Sequence, residues 1–445
     1  MLYSTHLKPR KLARPACYHL GRFERALNLS LNVPDSPGGK LIEFHTRELW
    51  EGQNYPMPTA QLIANSHVSA SNKMPRQINR NLIFNQIRTR QPISRADLAR
   101  ISGLQRSTVS LIVEELLAER WIVEGPTGQI PRGRRPTFLN INSQRGVLAL
   151  DIHPTQTTLA VTDLGGNIIA EKIVIPPENP MKVVGAIVDA VRNMIAAHHD
   201  RSFDGIGINL PGRLDANLEK FIFAPNIDWP IGNIKARVEQ ATGLPVVVDN
   251  VANACALSEI WFGYSDGLHD LVAVSVTEGI GTGIIANGRL LRGEGGVAGE
   301  FGHVQLEPEG LPCACGSHGC WETIASNRAG MRYYSELAQR PSPGFDELLR
   351  MAEAGDQAAC AAIEKMCRAL GRGMHMVASA LAPSEIVVVG DITTVWQMAA
   401  PIIESEMRRN RLVSVPRLRA ARGGSQARLR TAVALVMNEG LLATK

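Results

Sequence analysis

The sequence has no run of about 18 or more apolar residues, the length that a membrane-spanning helix needs. Its N-terminus also lacks the apolar segment of a secretory signal. Cysteine occurs seven times, an odd number, and three of these residues lie in one short loop rather than in the spaced pairs of a disulfide framework. Together these absences favour a cytoplasmic protein that has no contact with a membrane.

The chain does have length and an uneven distribution of charge. Its 445 residues are enough for two or three domains. Residues 74–140 contain eleven arginines against five acidic residues, whereas residues 141–445 contain 27 basic and 32 acidic residues. A basic segment joined to a mildly acidic body indicates that only one module meets a polyanion.

Three blocks of apolar residues at helical spacing lie in the basic segment. We predict a first helix over Arg80–Thr89 and a second over Ser94–Ile101, where Ser94 caps the helix and Asp97 is its reciprocal partner. Gly103 allows a tight turn before a third helix that begins near Gln105 or Arg106. This arrangement is typical of a helix-turn-helix.

Two surfaces of this segment have the chemistry of a DNA contact. The start of the third helix carries polar side chains suited to phosphates and base edges: Gln105, Arg106, Ser107, Thr108 and Ser110. A β-wing follows, and the arginines at its tip would meet the phosphate backbone or the minor groove: Arg132, Arg134 and Arg135. We therefore predict a winged helix-turn-helix domain over residues 74–142. The alternative is a three-helix bundle with a solvated basic face.

Residues 1–73 show no sustained hydrophobic period and contain several prolines. We expect a disordered extension. Alternatively, translation begins at Met74, immediately before the first predicted helix, and the preceding residues come from an over-extended reading frame.

From residue 146 onward, strand-like runs alternate with helical stretches, which indicates an α/β domain. The predicted strands are Val147–Ile152, Thr158–Thr162, Ile206–Leu210, Val246–Val248, Leu271–Val276 and Ile386–Val389. The clearest predicted helices are Met181–Ala197 and Ala252–Trp261.

A loop in the second half of this body has the composition of a metal site. One imidazole and three thiols lie at short spacings, which suits the tetrahedral Cys₃His ligand set of structural zinc: His303, Cys313, Cys315 and Cys320. His318 is a further ligand candidate of lower rank. Thiols clustered by chance, or a disulfide pair, are the alternatives. The remaining cysteines read as ordinary small residues: Cys17, Cys255, Cys360 and Cys367.

The same loop carries a sequence signature. Gly-Glu-x-Gly-His from Gly299, Cys-x-Cys-Gly from Cys313 and Gly-Cys-x-Glu up to Glu322 resemble the signature of the ROK family, which contains bacterial sugar kinases and sugar-responsive repressors. The resemblance covers roughly residues 75–445. It implies a two-lobed, actin-like (ribonuclease H-like) ATPase-type domain over residues 146–445, with the zinc loop at 299–322. The N-terminal module resembles that of the repressor branch, which includes xylose- and N-acetylglucosamine-type repressors.

The resemblance also implies a sugar site. The residues that it assigns to sugar binding are Gly212, Asn250, Glu300, His303 and Glu322. Carboxylates and amides suit polyols because each can bind two neighbouring hydroxyls. His303 would hold zinc with one ring nitrogen and face the sugar with the other. The alternative is that the carboxylates are solvated loop residues and the zinc is purely structural.

The phosphate side departs from the kinase pattern. The first phosphate loop reads Asp-Ile-His-Pro-Thr at residues 151–155, the second carries Glu278, and Asp391 replaces a glycine. Val251 stands where the kinases carry the aspartate that accepts the proton of the sugar hydroxyl, and valine accepts no proton. We therefore predict that the chain has no sugar kinase activity and no catalytic residues.

The sequence as a whole predicts a transcriptional regulator, a repressor of carbohydrate-metabolism genes. A sugar or sugar-phosphate effector would bind its inactive kinase-like domain, and a homodimer or homotetramer would bind a double-stranded DNA operator. Two alternatives remain open: an active ROK sugar kinase with an added N-terminal domain, and a constitutive DNA-binding protein whose sugar pocket has decayed.

Overall fold

The computed structural model describes residues 73–127, 136–153, 156–215, 217–218, 221–223, 227–263, 270–409, 415–421 and 427–442. Apart from Lys73, the predicted N-terminal extension lies outside the described residues. So do the three wing-tip arginines, Cys17, and the Pro-Thr pair of the first phosphate loop: Arg132, Arg134, Arg135, Pro154 and Thr155. In the part of the chain that is described, no helix is long and apolar enough to cross a membrane.

The N-terminal segment contains helices and a small sheet. Its elements are α1 (Lys73–Arg90), β1 (Ile93–Ser94), α2 (Arg95–Ser102), α3 (Arg106–Ala118), β2 (Ile122–Thr127) and β3 (Thr137–Ile141). β3 lies between β1 and β2 and is antiparallel to both. α1 begins seven residues earlier than predicted, because Arg76 pairs with Glu115 of α3 and Arg80 pairs with Glu119, the residue that follows α3. Local periodicity contains no sign of these tertiary contacts.

The turn between α2 and α3 forms as predicted. The Ser94 hydroxyl accepts from the Asp97 backbone N–H at 3.2 Å and donates to its carboxylate at 2.7 Å. Gly103 ends α2 with φ at 70°, in the left-handed region that a side chain disfavours. α3 buries Val109, Ile112, Val113 and Leu116, whereas Leu117 is only partly buried.

The body consists of two lobes, each built on a five-stranded sheet. The first lobe contains β4 (Arg145–Ile152), β5 (Thr157–Asp163), β6 (Ile168–Val174), α4 (Val183–Ala197), β7 (Ser202–Leu210), β8 (Arg213–Leu214), β9 (Phe221–Phe223), α5 (Ile234–Thr242) and β10 (Val246–Asn250). The second contains α6 (Val251–Phe262), β11 (Leu271–Val276), β12 (Ile280–Ala286), β13 (Arg289–Leu290), α7 (Trp321–Ala325), α8 (Asn327–Ala338), α9 (Phe345–Glu353), α10 (Gln357–Leu381), β14 (Glu385–Gly390), α11 (Trp396–Met407) and β15 (Arg417–Ala420). The last helix, α12 (Ala427–Leu442), returns to the first lobe and packs on its strands β4, β7 and β10. Short 3₁₀ turns lie at Pro180–Lys182, Glu294–Gly296, Glu300–His303 and Asp391–Val395.

The two sheets have the same topology. In the first, the order is β10-β7-β4-β5-β6, with β4, β5 and β6 antiparallel and β4, β7 and β10 parallel. In the second, the order is β13-β12-β11-β14-β15, again with three antiparallel and three parallel strands around the central one. The predicted α/β class is confirmed, and the repeated sheet forms the two lobes that the family resemblance implied.

One core joins the N-terminal helices to the body. α12 packs directly on β7, where a Cβ on Gly207 would lie 1.9 Å from the Ala432 carbonyl oxygen. Phe84 of α1 meets the Trp261 ring of α6 edge to face, with centroids 6.3 Å apart. The buried side chains of α1, α6 and α12 thus form a continuous apolar cluster.

Candidate sugar and metal sites

A cavity of about 490 Å³ lies between the two lobes. It is bounded by the turn after β7, the start of α6, the loop between β11 and β12, and the loop that leads to α7. All five residues assigned to sugar binding line it: Gly212, Asn250, Glu300, His303 and Glu322. The folded chain thus brings together residues that are up to 110 positions apart in sequence.

Asn250 fixes the floor of this cavity. Its Nδ2 donates to the Gly212 carbonyl oxygen at 2.5 Å, and its Oδ1 accepts from the Ala252 N–H at 2.7 Å. The side chain therefore caps α6 and holds the turn after β7 at the same time. Gly212 has φ at 135°, a conformation that favours glycine at this turn.

His303 stands between the cavity and the cysteines. Its Nδ1 lies 3.5 Å from Cys313 Sγ and 3.6 Å from Glu322 Oε1. Its Nε2 faces the other way and lies 3.8 Å from Glu300 Oε2. One ring nitrogen thus points to the thiols and the other to a cavity carboxylate.

Glu322 is positioned by its neighbour in sequence. Trp321 is fully buried, and its indole N–H donates to the Ala369 carbonyl oxygen at 3.0 Å. This anchors α7, whose second residue is Glu322, against α10. The Glu322 carboxylate then lies against Gly279, where an added Cβ would be 2.8 Å from Oε2.

The four predicted metal ligands form one cluster. The ligand atoms of His303, Cys313, Cys315 and Cys320 all lie within 4.8 Å of one another. Cys315 Sγ and Cys320 Sγ are 3.7 Å apart. Tetrahedral zinc with Zn–S bonds of ~2.3 Å separates its sulfur ligands by ~3.8 Å and a sulfur from a nitrogen by ~3.5 Å. The spacing of these atoms therefore fits a four-coordinate ion of zinc's size.

The alternatives for these thiols do not fit as well. Every cysteine that the structure describes is free, and the 3.7 Å separation is far longer than an S–S bond of ~2.05 Å. His318 is exposed and does not belong to the cluster. Burial raises the pKa of Cys313, and the Glu322 carboxylate adds to this rise; burial likewise raises the pKa of Cys320. A bound cation would reverse this preference for the thiol form.

The side of the cleft that carries Asp151 is occupied by an ion pair. The buried Asp151 carboxylate accepts from Arg428 Nη2 at 3.0 Å, and His153 Nε2 lies 3.0 Å from its other oxygen. Burial opposes ionisation of this group, but Arg428 and His153 outweigh it and lower the pKa of Asp151. The carboxylate of Asp151 is therefore paired with a cation of the same chain.

The position that the family resemblance assigns to the kinase aspartate is apolar. Val251 is the first residue of α6, lines the cavity and is 6% exposed. Glu278 lines the cavity as well. Asp391 accepts from Asn327 Nδ2 at 3.0 Å, and burial, reinforced by Asp346, raises its pKa.

Two cavity residues were not predicted. Arg292 Nη2 lies 2.6 Å from Asp249 Oδ2, and Asp249 also accepts from Asn253 Nδ2 at 3.1 Å. Asp249 directly precedes Asn250, so the sequence motif around Asn250 could have indicated that Asp249 lines the cavity. Arg292 lies 43 residues after Asp249, and no motif around it indicates a role in the cavity.

The DNA-contact candidates form a separate surface at the start of α3. Gln105, Arg106 and Ser107 are exposed, whereas Thr108 and Ser110 are partly buried. Gln105 occupies the N-cap position, and its side chain makes no capping bond. The first turn of α3 thus presents polar side chains to solvent.

Residues 147–439 match the model of the ROK family. The chain belongs to the ROK family. The xylose repressor of Bacillus spizizenii is 30% identical over 336 residues, which cover 75% of this chain and 87% of the repressor. The glucokinase of Streptomyces coelicolor is 34% identical over 278 residues, covering 59% and 87%. Repressors and kinases of the ROK family thus match at similar identity.

The solved structures include a ROK regulator. The crystal structure of a ROK family transcriptional regulator, described as a homolog of the E. coli MLC protein, superposes with a TM-score of 0.68 at 27% identity. The match covers 83% of this chain and 98% of that one. Its extent exceeds residues 147–439 and so includes part of the chain outside the ROK domain.

Proposed function

We propose that this ROK protein is a sugar-responsive transcriptional repressor. A winged helix-turn-helix over residues 74–142 binds a double-stranded DNA operator, and the body over residues 146–445 binds a small sugar. The observation that carries the proposal is the cavity itself, which combines a full set of sugar-facing groups with valine at the catalytic position. The likeness to a xylose repressor and to a ROK regulator supports the same function.

The proposal that the N-terminal domain binds DNA is based on the geometry of α2 and α3. The left-handed Gly103 and the buried face of α3 hold the helix so that Gln105, Arg106 and Ser107 remain exposed at its start. The first turn of a recognition helix is the part that reaches base edges in the major groove. A homodimer or homotetramer would present two such helices to a two-fold operator.

Zinc would hold the sugar-binding loop. In this proposal, His303 binds the ion through Nδ1, together with Cys313, Cys315 and Cys320, and Nε2 stays on the cavity side. The ion fixes the tautomer and orientation of His303, as second partners do for metal-bound histidines in general. Its role is structural, because four protein ligands leave no open position for chemistry.

The helix α6 connects the cavity with the N-terminal domain. Its first turn lines the cavity through Val251 and Asn253. Its last turn contacts α1, where Trp261 packs on Phe84 and the Phe262 ring lies 4.8 Å from the Arg88 guanidinium carbon. Twelve residues of helix span ~18 Å. A sugar that shifts α6 would therefore move the N-terminal module and change how two modules match an operator.

The kinase alternative is disfavoured by the chemistry of the cleft. Val251 offers no general base. Arg428 forms an ion pair with the carboxylate of Asp151, at the start of the segment that resembles the first phosphate loop. Phosphoryl transfer depends on positioned phosphates and on charge stabilisation, and both are compromised here. We propose that the cavity binds sugar without phosphorylating it.

Fluorescence anisotropy tests the proposal. The full chain is titrated onto DNA from its own upstream region at fixed salt, with and without a panel of sugars. We expect sequence-preferring binding that one sugar shifts. Arg106→Ala should weaken binding about tenfold, whereas Arg350→Ala, an exposed arginine on α9, should not. Binding no tighter than to random DNA, with or without sugar, would refute the proposal.

A further inference from the structure

The lining of the cavity is strongly acidic. Five carboxylates face it, from Asp215, Asp249, Glu278, Glu300 and Glu322. Two guanidinium groups face it, from Arg213 and Arg292. This charge bears on which class of sugar the cavity accepts, a question that rests on the proposed function.

The two arginines offset only part of this charge. Arg292 is already paired with Asp249 at 2.6 Å. Arg213 is exposed, and its guanidinium group lies beside Gly295 at the edge of the cavity. A zinc ion on three thiolates and one neutral imidazole carries a net charge of −1, so an occupied metal site adds no positive charge. The balance therefore stays negative in the metal-bound form as well.

Glu278 is one of the carboxylates that line this negative region. It is partly buried and belongs to the loop between β11 and β12. Its neighbour Gly279 touches the Glu322 carboxylate, so the two glutamates flank one glycine. The charge of Glu278 also contributes to the raised pKa of Asp391, after burial and Asp346.

We propose that Glu278 makes the cavity selective for sugars that carry no phosphate, so that neutral sugars and amino sugars bind and sugar phosphates are excluded. A phosphate monoester carries about −1.5 to −2 charges at neutral pH. In a partly buried cavity, salt screens its repulsion from Glu278 and Glu322 only weakly. Val251, at the start of α6, supplies neither a cation nor a polar group in return. An ammonium group on the sugar gains from the same field.

Calorimetry with matched sugar pairs tests this selectivity. The full zinc-loaded chain is titrated with glucose and glucose 6-phosphate, with glucosamine and glucosamine 6-phosphate, and with N-acetylglucosamine and its 6-phosphate. The variants are Glu278→Gln and, as a control, Glu171→Gln, which changes an exposed glutamate on the edge strand β6. Thermal unfolding of each variant verifies that it is folded.

In the unchanged protein, the phosphate should weaken binding of the accepted sugar by about tenfold or more. Glu278→Gln should reduce this penalty about threefold or more, and Glu171→Gln should leave it unchanged. A sugar phosphate that binds more tightly than its parent sugar would overturn the selectivity but leave the proposed function standing. If Glu278→Gln does not change how much the phosphate weakens binding, Glu278 is not the source of the selectivity, and the proposal is overturned. If no sugar binds at all, the proposed function itself fails, and this inference fails with it.

Discussion

The guanidinium group of Arg88 in α1 donates a hydrogen bond to the carbonyl oxygen of Trp261 in the last turn of α6. The same group lies over the Phe262 ring, with the carbon 4.8 Å from the centroid. Burial lowers the pKa of Arg88 to about 10, so the group stays charged at neutral pH. A charged donor on the free carbonyl of a helix C-terminus is a favourable arrangement. It ties α1 to the helix that begins in the cavity.

We expect Arg88→Ala to reduce the effect of sugar on DNA binding. The substitution removes the Arg88 contacts with Trp261 and Phe262 at the end of α6 but leaves the cavity and the first turn of α3 intact. DNA affinity without sugar should change about threefold or less, whereas the sugar-induced shift should fall by more than half. Anisotropy with and without the effector measures both values.

Arg350→Ala is the control, because it removes an arginine from α9, away from the contact between α1 and α6. An unchanged sugar response in Arg88→Ala would show that α6 does not transmit through this contact. A loss of sugar binding itself, measured by calorimetry, would instead assign Arg88 to the stability of the body.

Removal of metal should destabilise the loop at residues 299–322. The thiols of Cys313 and Cys320 have raised pKa values without a cation, so metal binding must displace protons. Zinc affinity should therefore fall as the pH decreases from 8 to 6. We expect Cys320→Ser to lose bound zinc and sugar binding together, because His303 is no longer held.

Cys360→Ser is the matched control, since Cys360 is a free thiol on α10 outside the cluster. Metal content by elemental analysis and sugar binding by calorimetry give independent readouts. Full sugar binding by a zinc-free Cys320→Ser protein would contradict a structural role for the ion at this cavity.

The sequence revealed what lies close together along the chain. The four metal ligands fall within 18 residues, and the cap and turn of the second helix are set by Ser94, Asp97 and Gly103. Asp151 and Arg428 are 277 positions apart, and the sequence around either residue does not indicate that the two form an ion pair. Contacts of this kind follow from how β4 and α12 pack, which no local pattern encodes.

Strand β12 was missed for a related reason. Its sequence Ile-Gly-Thr-Gly-Ile-Ile-Ala resembles a glycine-rich loop. In the structure, Gly283 belongs to the strand and faces α6, where an added Cβ would lie 2.1 Å from the Ala252 carbonyl oxygen. The glycine thus serves the close approach of a helix to a sheet, and the sequence alone does not distinguish this use from a loop. β6 was missed because most of its side chains are exposed and its hydrophobic pattern is weak.

The ion pair of Asp151 and Arg428 predicts a pH dependence of stability. Because the pKa of Asp151 in the folded chain is depressed, its stabilisation is present above the unfolded pKa of about 3.9 and is lost as the pH falls through the folded value. Arg428→Met leaves a buried carboxylate without its cation and should cost about 3–5 kcal/mol at pH 7.

The double variant Asp151→Asn/Arg428→Met should recover much of that loss, because no charge remains buried. Urea unfolding of the single and double variants, at pH 7 and at acidic pH, measures the coupling. A cost for Arg428→Met that is the same at both pH values would mean that packing, and not the charge pair, stabilises the start of α12.

Restoring the missing base should not restore a kinase. Val251→Asp places a carboxylate in the cavity, at the position that the family resemblance assigns to the kinase aspartate. Glu278 and the Arg428 pair with Asp151 remain, so nucleotide phosphates still lack their binding groups. A coupled assay for ADP release should therefore give background rates for the variant and for the unchanged protein, while calorimetry shows whether sugar still binds. Turnover by Val251→Asp would show that the phosphate side is intact and that the loss of one base separates this chain from the ROK kinases. Turnover by the unchanged protein would establish the kinase alternative directly.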